Sequence, residues 1–221
     1  MGSACGRQSV RRRGTLRCRH GRGRYHGCRA HEDLDAVVAT ADEKAVPRPG
    51  DEVVGPADVV MDRAFTLDHP PAMVWPWLVQ LGKRRAGWYL PAMAERLLPP
   101  SRRATRTIVG RWQQLQVGDV IPDYGGRDVT CQVAAIDPPT SLVYRSRRGH
   151  TNITWSLTLV SLPAADARRR SERTRVCLRL RMAPVRHRWL ARSVGELIDL
   201  LTIDGMAAGL RERLAESLRR S

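Results

Sequence analysis

The apolar positions of this chain repeat with two different periods, and each change of period marks a new element. From Val59 to Leu67 β-branched and apolar residues are interrupted by polar ones, which predicts a strand. Asp68-His69-Pro70-Pro71 follows. It suits a helix start, because a carboxylate can cap and proline tolerates a first-turn position whose N–H has no intrahelical acceptor. A short helix is expected over 72–81, with Val74, Trp75, Leu78 and Leu81 on one face. Gly82 and Gly87 end it, and a second short helix is expected over 91–98, before Pro99-Pro100.

The period then shortens to two. Val117-Gly118-Asp119-Val120 reads as a turn into a strand. Val129, Cys131, Val133 and Ala135 alternate with Thr130, Gln132 and Ala134 until Asp137-Pro138-Pro139, and residues 141–146 supply a partner strand. Ile153, Trp155, Leu157 and Leu159 face one way, as do Val176, Leu178, Leu180 and Met182, giving two half-buried strands joined by an arginine-heavy loop over 164–173. Leu190, Val194, Leu197, Ile198, Leu201, Met206, Leu210, Leu214 and Leu218 then predict one long amphipathic helix. Arg219 and Arg220 stand at its end, where the helix dipole favours cations.

Strand, two short helices, a run of antiparallel strands and one long helix make an α+β fold, with a curved sheet wrapped around the C-terminal helix. A bent sheet that grips a helix cannot close both ends, so an apolar cavity is expected between them. Residues 36–221 are assigned to this domain, with 34–55 as a lead-in that wraps its surface.

Composition changes this picture little. With 42% hydrophobic residues among 221, the chain has material for one core. The stretch 73–81 is too short to cross a bilayer and 194–210 carries Glu196, Asp199 and Asp204, so no membrane span is expected. The net charge of +16 is concentrated: residues 1–30 hold nine arginines and no acid, which leaves 29 basic against 22 acidic groups elsewhere. Residues 1–35 read as a disordered basic leader. Tyr25 and His26 among its arginines would suit an RNA-binding arm. Only two of the 38 basic residues are lysine, however, so arginine richness is a habit of the whole chain and nucleic acid is the weaker reading. Cys18, His20, His26 and Cys28 are zinc-ligand types at a spacing of no common finger, and neither a metal nor a cofactor is expected. Five cysteines and no apolar signal core point to reduced thiols and a cytoplasmic location. The pattern sets no oligomeric state.

Several segments taken together, Pro49-Gly50-Asp51-Glu52, VWPWLVQLGKRRAGWY (74–89), VGDVIP (117–122), LVYRS (142–146) and TNITWSLTL (151–159), resemble the SRPBCC superfamily. That group includes START-like lipid-binding domains and the polyketide cyclase/dehydrase and lipid-transport proteins. The resemblance covers about residues 36–218, and its most specific part, at 75–89, looks like an uncharacterised bacterial subgroup. It implies the helix-grip fold and a deep apolar cavity, without implying one activity.

On this reading the chain binds a small hydrophobic ligand, a lipid, polyketide or similar molecule. The expected walls are Cys131, Tyr144, Trp155, Leu178 and Leu180 on the sheet, and Leu197, Leu201, Gly205 and Met206 on the helix. Trp88 and Tyr89 are placed at the mouth, where Lys83, Arg84 and Arg85 would meet an anionic ligand group. Gly205 and Gly209 each cost a helix about 1 kcal/mol relative to Ala, which suggests close backbone approach or room kept for a ligand. The alternative is a cyclase/aromatase-type enzyme in the same cavity, with Asp199, Asp204 or His150 moving protons and Tyr144, Arg145 or Tyr124 polarising a carbonyl. The plainer reading of Asp199, Asp204, His150 and Arg145 is a solvated surface. No Ser-His-Asp or Cys-His arrangement suggests a hydrolase, and Cys131 and Cys177 read as small strand residues.

Overall fold

The structure, a computed structural model, describes residues 37–164, 172–190, 193 and 195–220. The basic leader with its Cys/His cluster, Val194, the side chain of Leu190 and residues 165–171 of the arginine-rich loop lie outside the described residues. Six strands, β1 (Val59–Leu67), β2 (Val120–Pro122), β3 (Thr130–Asp137), β4 (Ser141–Arg148), β5 (Thr151–Leu162) and β6 (Arg173–Ala183), form one antiparallel sheet in the order β1-β6-β5-β4-β3-β2. Helix α1 (Ala41–Ala45) precedes the sheet, and α2 (Pro71–Gln80) and α3 (Ala92–Arg96) follow β1. The single turn α4 (Arg188–Leu190) leads into the long α5 (Glu196–Leu218). This is the α+β helix-grip arrangement: α5 lies in the concave side of the sheet, and α2 packs beside it against β5 and β6.

Local physics accounts for these elements, with two departures from the simple pattern. Helix α2 starts on Pro71, where proline's missing N–H costs nothing. It buries Val74, Trp77 and Leu78, whereas Trp75 is only half-buried. In β3 the register slips between Val133 and Ala135, so Ala135 pairs with Val143 and Ile136 with Leu142. That bulge turns Ile136, and not Ala135, toward the core.

The strands β5 and β6 are buried on both faces and not half-buried. Residues 37–55 cover the convex side, as a surface-wrapping lead-in would, and the polar side chains there carry the attachment. Ala39, Ala64 and Cys177 form a small apolar cluster. Arg179, buried beneath the lead-in, donates to Asp62 Oδ1 (2.7 Å), Asp51 Oδ2 (2.8 Å) and the carbonyls of Lys44 and Val46. Arg175 donates to Glu43 at 2.7 and 3.0 Å, and the Thr40 N–H donates to the same carboxylate at 2.8 Å.

Through the Arg175 hydrogen bonds above all, the Glu43 carboxyl is held down to about 2 from its ordinary 4.5, against the opposing effect of burial. A carboxylate whose folded pKa is lowered stabilises the fold above its unfolded pKa and loses that contribution as pH falls through the folded one. Urea midpoints should therefore drop between about pH 4.5 and about pH 2. The drop should be smaller in Glu43→Gln, as denaturation curves across that window would record.

From Ile203 onward α5 is the centre of the core. Ile203, Met206, Ala207, Leu210 and Leu214 are buried against Phe65, Leu67, Leu78, Leu157 and Val176. Between α2 and β2 the chain runs through a long segment fixed by buried polar groups. Gln80 Nε2 donates to Tyr89 Oη (3.1 Å) and to the Thr107 carbonyl (3.2 Å). Tyr89 Oη donates to the Trp77 carbonyl (2.8 Å), and the Val109 N–H donates to Gln80 Oε1 (3.0 Å). Buried polar groups satisfied in this way specify one loop path.

Candidate ligand cavity

Between the concave face of the sheet and the N-terminal half of α5 lies a cavity of about 530 Å³. That is within the range of about 300–1,000 Å³ typical of small-molecule sites. Alternation along antiparallel strands decides its sheet wall. Cys131 on β3, Tyr144 and Ser146 on β4, Ile153 and Trp155 on β5, and Leu180 and Met182 on β6 all face inward. The helix closes the other side with Ile198, Asp199, Thr202 and Ile203. Trp88, from the segment after α2, and Tyr124, after β2, complete the rim, and the Trp88 Nε1–H donates to the Thr202 carbonyl at 3.1 Å.

Aromatic rings run continuously through this wall. Tyr144 and Trp155, cross-strand partners, stack with centroids 6.0 Å apart at 20°; Trp155 and Trp88 stack at 5.9 Å and 28°; Tyr124 meets Trp88 edge-on at 5.9 Å. Such pairs add to area burial and hold one another in place.

The charged groups are matched. Asp123 pairs with Arg148 at 2.5 Å, and Asp199 lies 3.0 Å from Arg63, whose Nη2 donates to the Glu196 carbonyl. Burial raises the Asp199 carboxyl above its ordinary value, opposed by Arg63. Burial also pushes the Cys131 thiol up to about 11, which leaves it protonated near neutral pH. The Tyr144 hydroxyl has no hydrogen-bond partner among the described residues although its side chain is only 3% exposed, and burial shifts its ionisation upward. No group of three or more His, Cys, Asp or Glu that could hold a metal occurs among the described residues.

Of the residues expected at the site, Trp88, Cys131, Tyr144, Trp155 and Leu180 stand together on the cavity wall. The other six do not. Tyr89, next to Trp88 in the chain, is fully buried in the core instead, with the Arg213 guanidinium 4.6 Å over its ring. Leu178 and Met206 are core residues, packed where the sheet and α5 touch and no space remains. Leu197 and Leu201 face solvent at 56% and 63% exposure, because the inward stripe of α5 runs back from Leu210 through Met206 and Ile203 to Asp199. Gly205 is set against Leu90, where an added Cβ would meet Leu90 Cδ2 at 2.9 Å.

The expected mouth cations are used elsewhere. Lys83 donates to the Asp123 and Gly126 carbonyls, Arg85 to those of Val79 and Trp112, and Arg84 is exposed. Asp204 and His150 are exposed, and Arg145 lies on the convex face, hydrogen-bonded to Gln132 Oε1 at 2.6 and 2.9 Å. Ile153 and Met182 were not among the expected wall residues, although each is two positions from one that was and therefore on the same face. Asp123, Arg148 and Ile121 carry no such sequence signal, because their places depend on the loop path between α2 and β3.

No protein-family model and no curated protein matches the chain. Solved structures that are similar to it include a hypothetical protein from Helicobacter pylori, at 13% identity with a TM-score of 0.47, covering 80% of this chain and 98% of that one. A protein from Rhodobacter sphaeroides aligns at 14% identity and a TM-score of 0.44, over 73% of this chain and 96% of that one. CalU16 from Micromonospora echinospora aligns at 14% and 0.39, over 72% and 82%. Likeness this remote bears on neither ligand nor activity. Among the described residues no helix is long and apolar enough to cross a membrane.

Proposed function

We propose that this chain is an SRPBCC-type domain that binds a small hydrophobic ligand in the cavity between its sheet and α5. One observation carries the reading: a space of about 530 Å³ lies between the sheet and the helix, walled largely by aromatic and aliphatic side chains. A void of that size forfeits the contacts its walls would make with each other, so filling it with apolar matter recovers them. Trp88, Tyr144, Trp155, Leu180, Ile153 and Met182 would hold the body of the ligand by desolvation, and the paired charges at the edges would fix its orientation.

The test is native mass spectrometry of the full chain purified from its own host, followed by denaturing extraction. A stoichiometric apolar compound released on unfolding is the expected result. If the protein arrives empty and no apolar probe stabilises it against heat, the reading is wrong.

A second reading, proton transfer on a ligand held in the same cavity, is favoured by one group. Asp199 faces the space, and burial raises its carboxyl. Asp199→Asn would then abolish turnover while leaving ligand affinity within about threefold, a split that a merely structural Asp199 would not produce.

A further inference from the structure

The convex side of the sheet, opposite the ligand cavity, holds a second recess of different chemistry. It has a volume of about 440 Å³ and lies between the end of the lead-in, at Val53 and Val54, and the strands β3, β4 and β5. We infer that this recess binds a phosphate-type dianion, held between the guanidinium groups of Arg145 and Arg147. Three observations lead there.

The first is charge. Arg145 and Arg147 line the recess, and no acidic side chain does. Two positions apart on β4, they share its convex face with Cα atoms about 7 Å apart. Among the described residues neither meets a carboxylate: Arg145 bonds to an amide and Arg147 to a carbonyl. On the same face of β6, by contrast, Arg175, Arg179 and Arg181 face Glu43, Asp62 and Asp51 in turn. Two like charges held side by side repel, and an anion seated between them reverses the sign of that interaction.

The second is preorganisation. Arg145 donates through Nε and Nη2 to Gln132 Oε1 at 2.9 and 2.6 Å, and Gln132 is fixed in turn by donating from Nε2 to the Gly118 carbonyl at 3.1 Å. Arg147 donates through Nε to the Gly149 carbonyl at 3.0 Å. One edge of each guanidinium is thus tied down, while Nη1 of Arg145 and both Nη atoms of Arg147 keep N–H groups for a ligand. Planar forks oriented in this way suit an oxyanion.

The third is what surrounds the cations. Asn152, the cross-strand partner of Arg147, stands on the same face and supplies a neutral donor. Val53, 42% exposed, offers an apolar flank to whatever group the anion carries. A phosphate monoester brings three acceptor oxygens and close to two charges at neutral pH, which matches two guanidinium groups better than a carboxylate does.

Calorimetric titration of the full chain at constant ionic strength, with inorganic phosphate, phenyl phosphate and benzoate, tests the inference. Phenyl phosphate should bind at least about tenfold more tightly than benzoate, the scale of one charge-assisted hydrogen bond. Arg145→Gln and Arg147→Gln should each weaken inorganic phosphate about tenfold, and the charge-neutral Asn152→Ala about threefold. Arg186→Gln removes an exposed cation outside the recess and should change affinity by less than about twofold. All four positions are exposed, so melting temperatures without ligand should hold. Tighter binding of phenyl phosphate than of inorganic phosphate would identify an ester seated against Val53, and equal affinity a free phosphate. Benzoate binding as tightly as phenyl phosphate, equal losses in all three arginine variants, or wild-type affinity in Arg145→Gln and Arg147→Gln would overturn the inference. The cavity reading would stand in each of those cases, because these side chains lie on the opposite face of the sheet.

Discussion

Arg213→Met should cost about 3–5 kcal/mol of stability, the scale for breaking a buried charge pair by removing one partner. The Arg213 side chain is fully buried at the heart of α5. Its Nη2 pairs with Glu95 Oε1 at 2.5 Å, its Nε donates to the Thr105 carbonyl at 2.8 Å, and its Nη1 donates to the carbonyls of Leu90 and Gly209 at 3.0 and 3.1 Å. The same guanidinium covers the ring of Tyr89. Arg106 extends the network from Glu95 to Glu212 and Glu216. Methionine could fill much of the volume, but it would take from Glu95 Oε1 and from the carbonyls of Thr105 and Leu90 the hydrogen bonds that the guanidinium donates, leaving Glu95 with Arg106 alone. Urea denaturation would record the loss as a lower midpoint with an unchanged slope. A loss under about 1 kcal/mol would mean that water reaches Glu95 and that the network is peripheral.

Gly209→Ala should be the second large effect, at about 2–3 kcal/mol of destabilisation, even though alanine gains about 1 kcal/mol of helix propensity over glycine. A Cβ at Gly209 would lie 2.7–2.8 Å from the backbone N, C and O of Leu90, atoms that cannot rotate aside. Gly205→Ala is the internal control. There the clash, at 2.9 Å, is with the end of the Leu90 side chain, which can turn away, so the two contributions should nearly cancel. Thermal melts of the pair would show whether Leu90 is held to α5 through its backbone. Similar melting temperatures for both variants would contradict the close approach. Gly209 thus answers the choice that sequence left open in favour of backbone approach, and Gly205 serves side-chain packing; neither keeps room for a ligand.

These two sites also show where the sequence stops being informative. Arg213 sits in what reads as an ordinary amphipathic helix, and its partners come from the segment 90–105, more than a hundred positions away. No local pattern announces such a network, because the residues that satisfy a buried charge are set by the loop path. Ala135 and Ile136 make the same point on a smaller scale: one bulge inverts the alternation downstream of it. Leu197 and Leu201 differ in kind. Their exposure was legible in principle, since stepping back from Leu214 through Leu210, Met206 and Ile203 in threes and fours arrives at Asp199.

By itself the sequence determined the order of the elements and the inward faces of β4, β5 and β6, which place Tyr144, Trp155 and Leu180 on one wall. It could do so because a period of two in a strand is dictated by backbone geometry alone. Only the tertiary structure decided how far α5 stands off the sheet along its length. Its C-terminal half is drawn into contact by Arg213, Gly209 and the Leu90 backbone, and its N-terminal half spans an open space beside Trp88. That division between packed core and cavity follows from side-chain volumes and buried polar partners meeting across distant segments, which no one-dimensional pattern encodes.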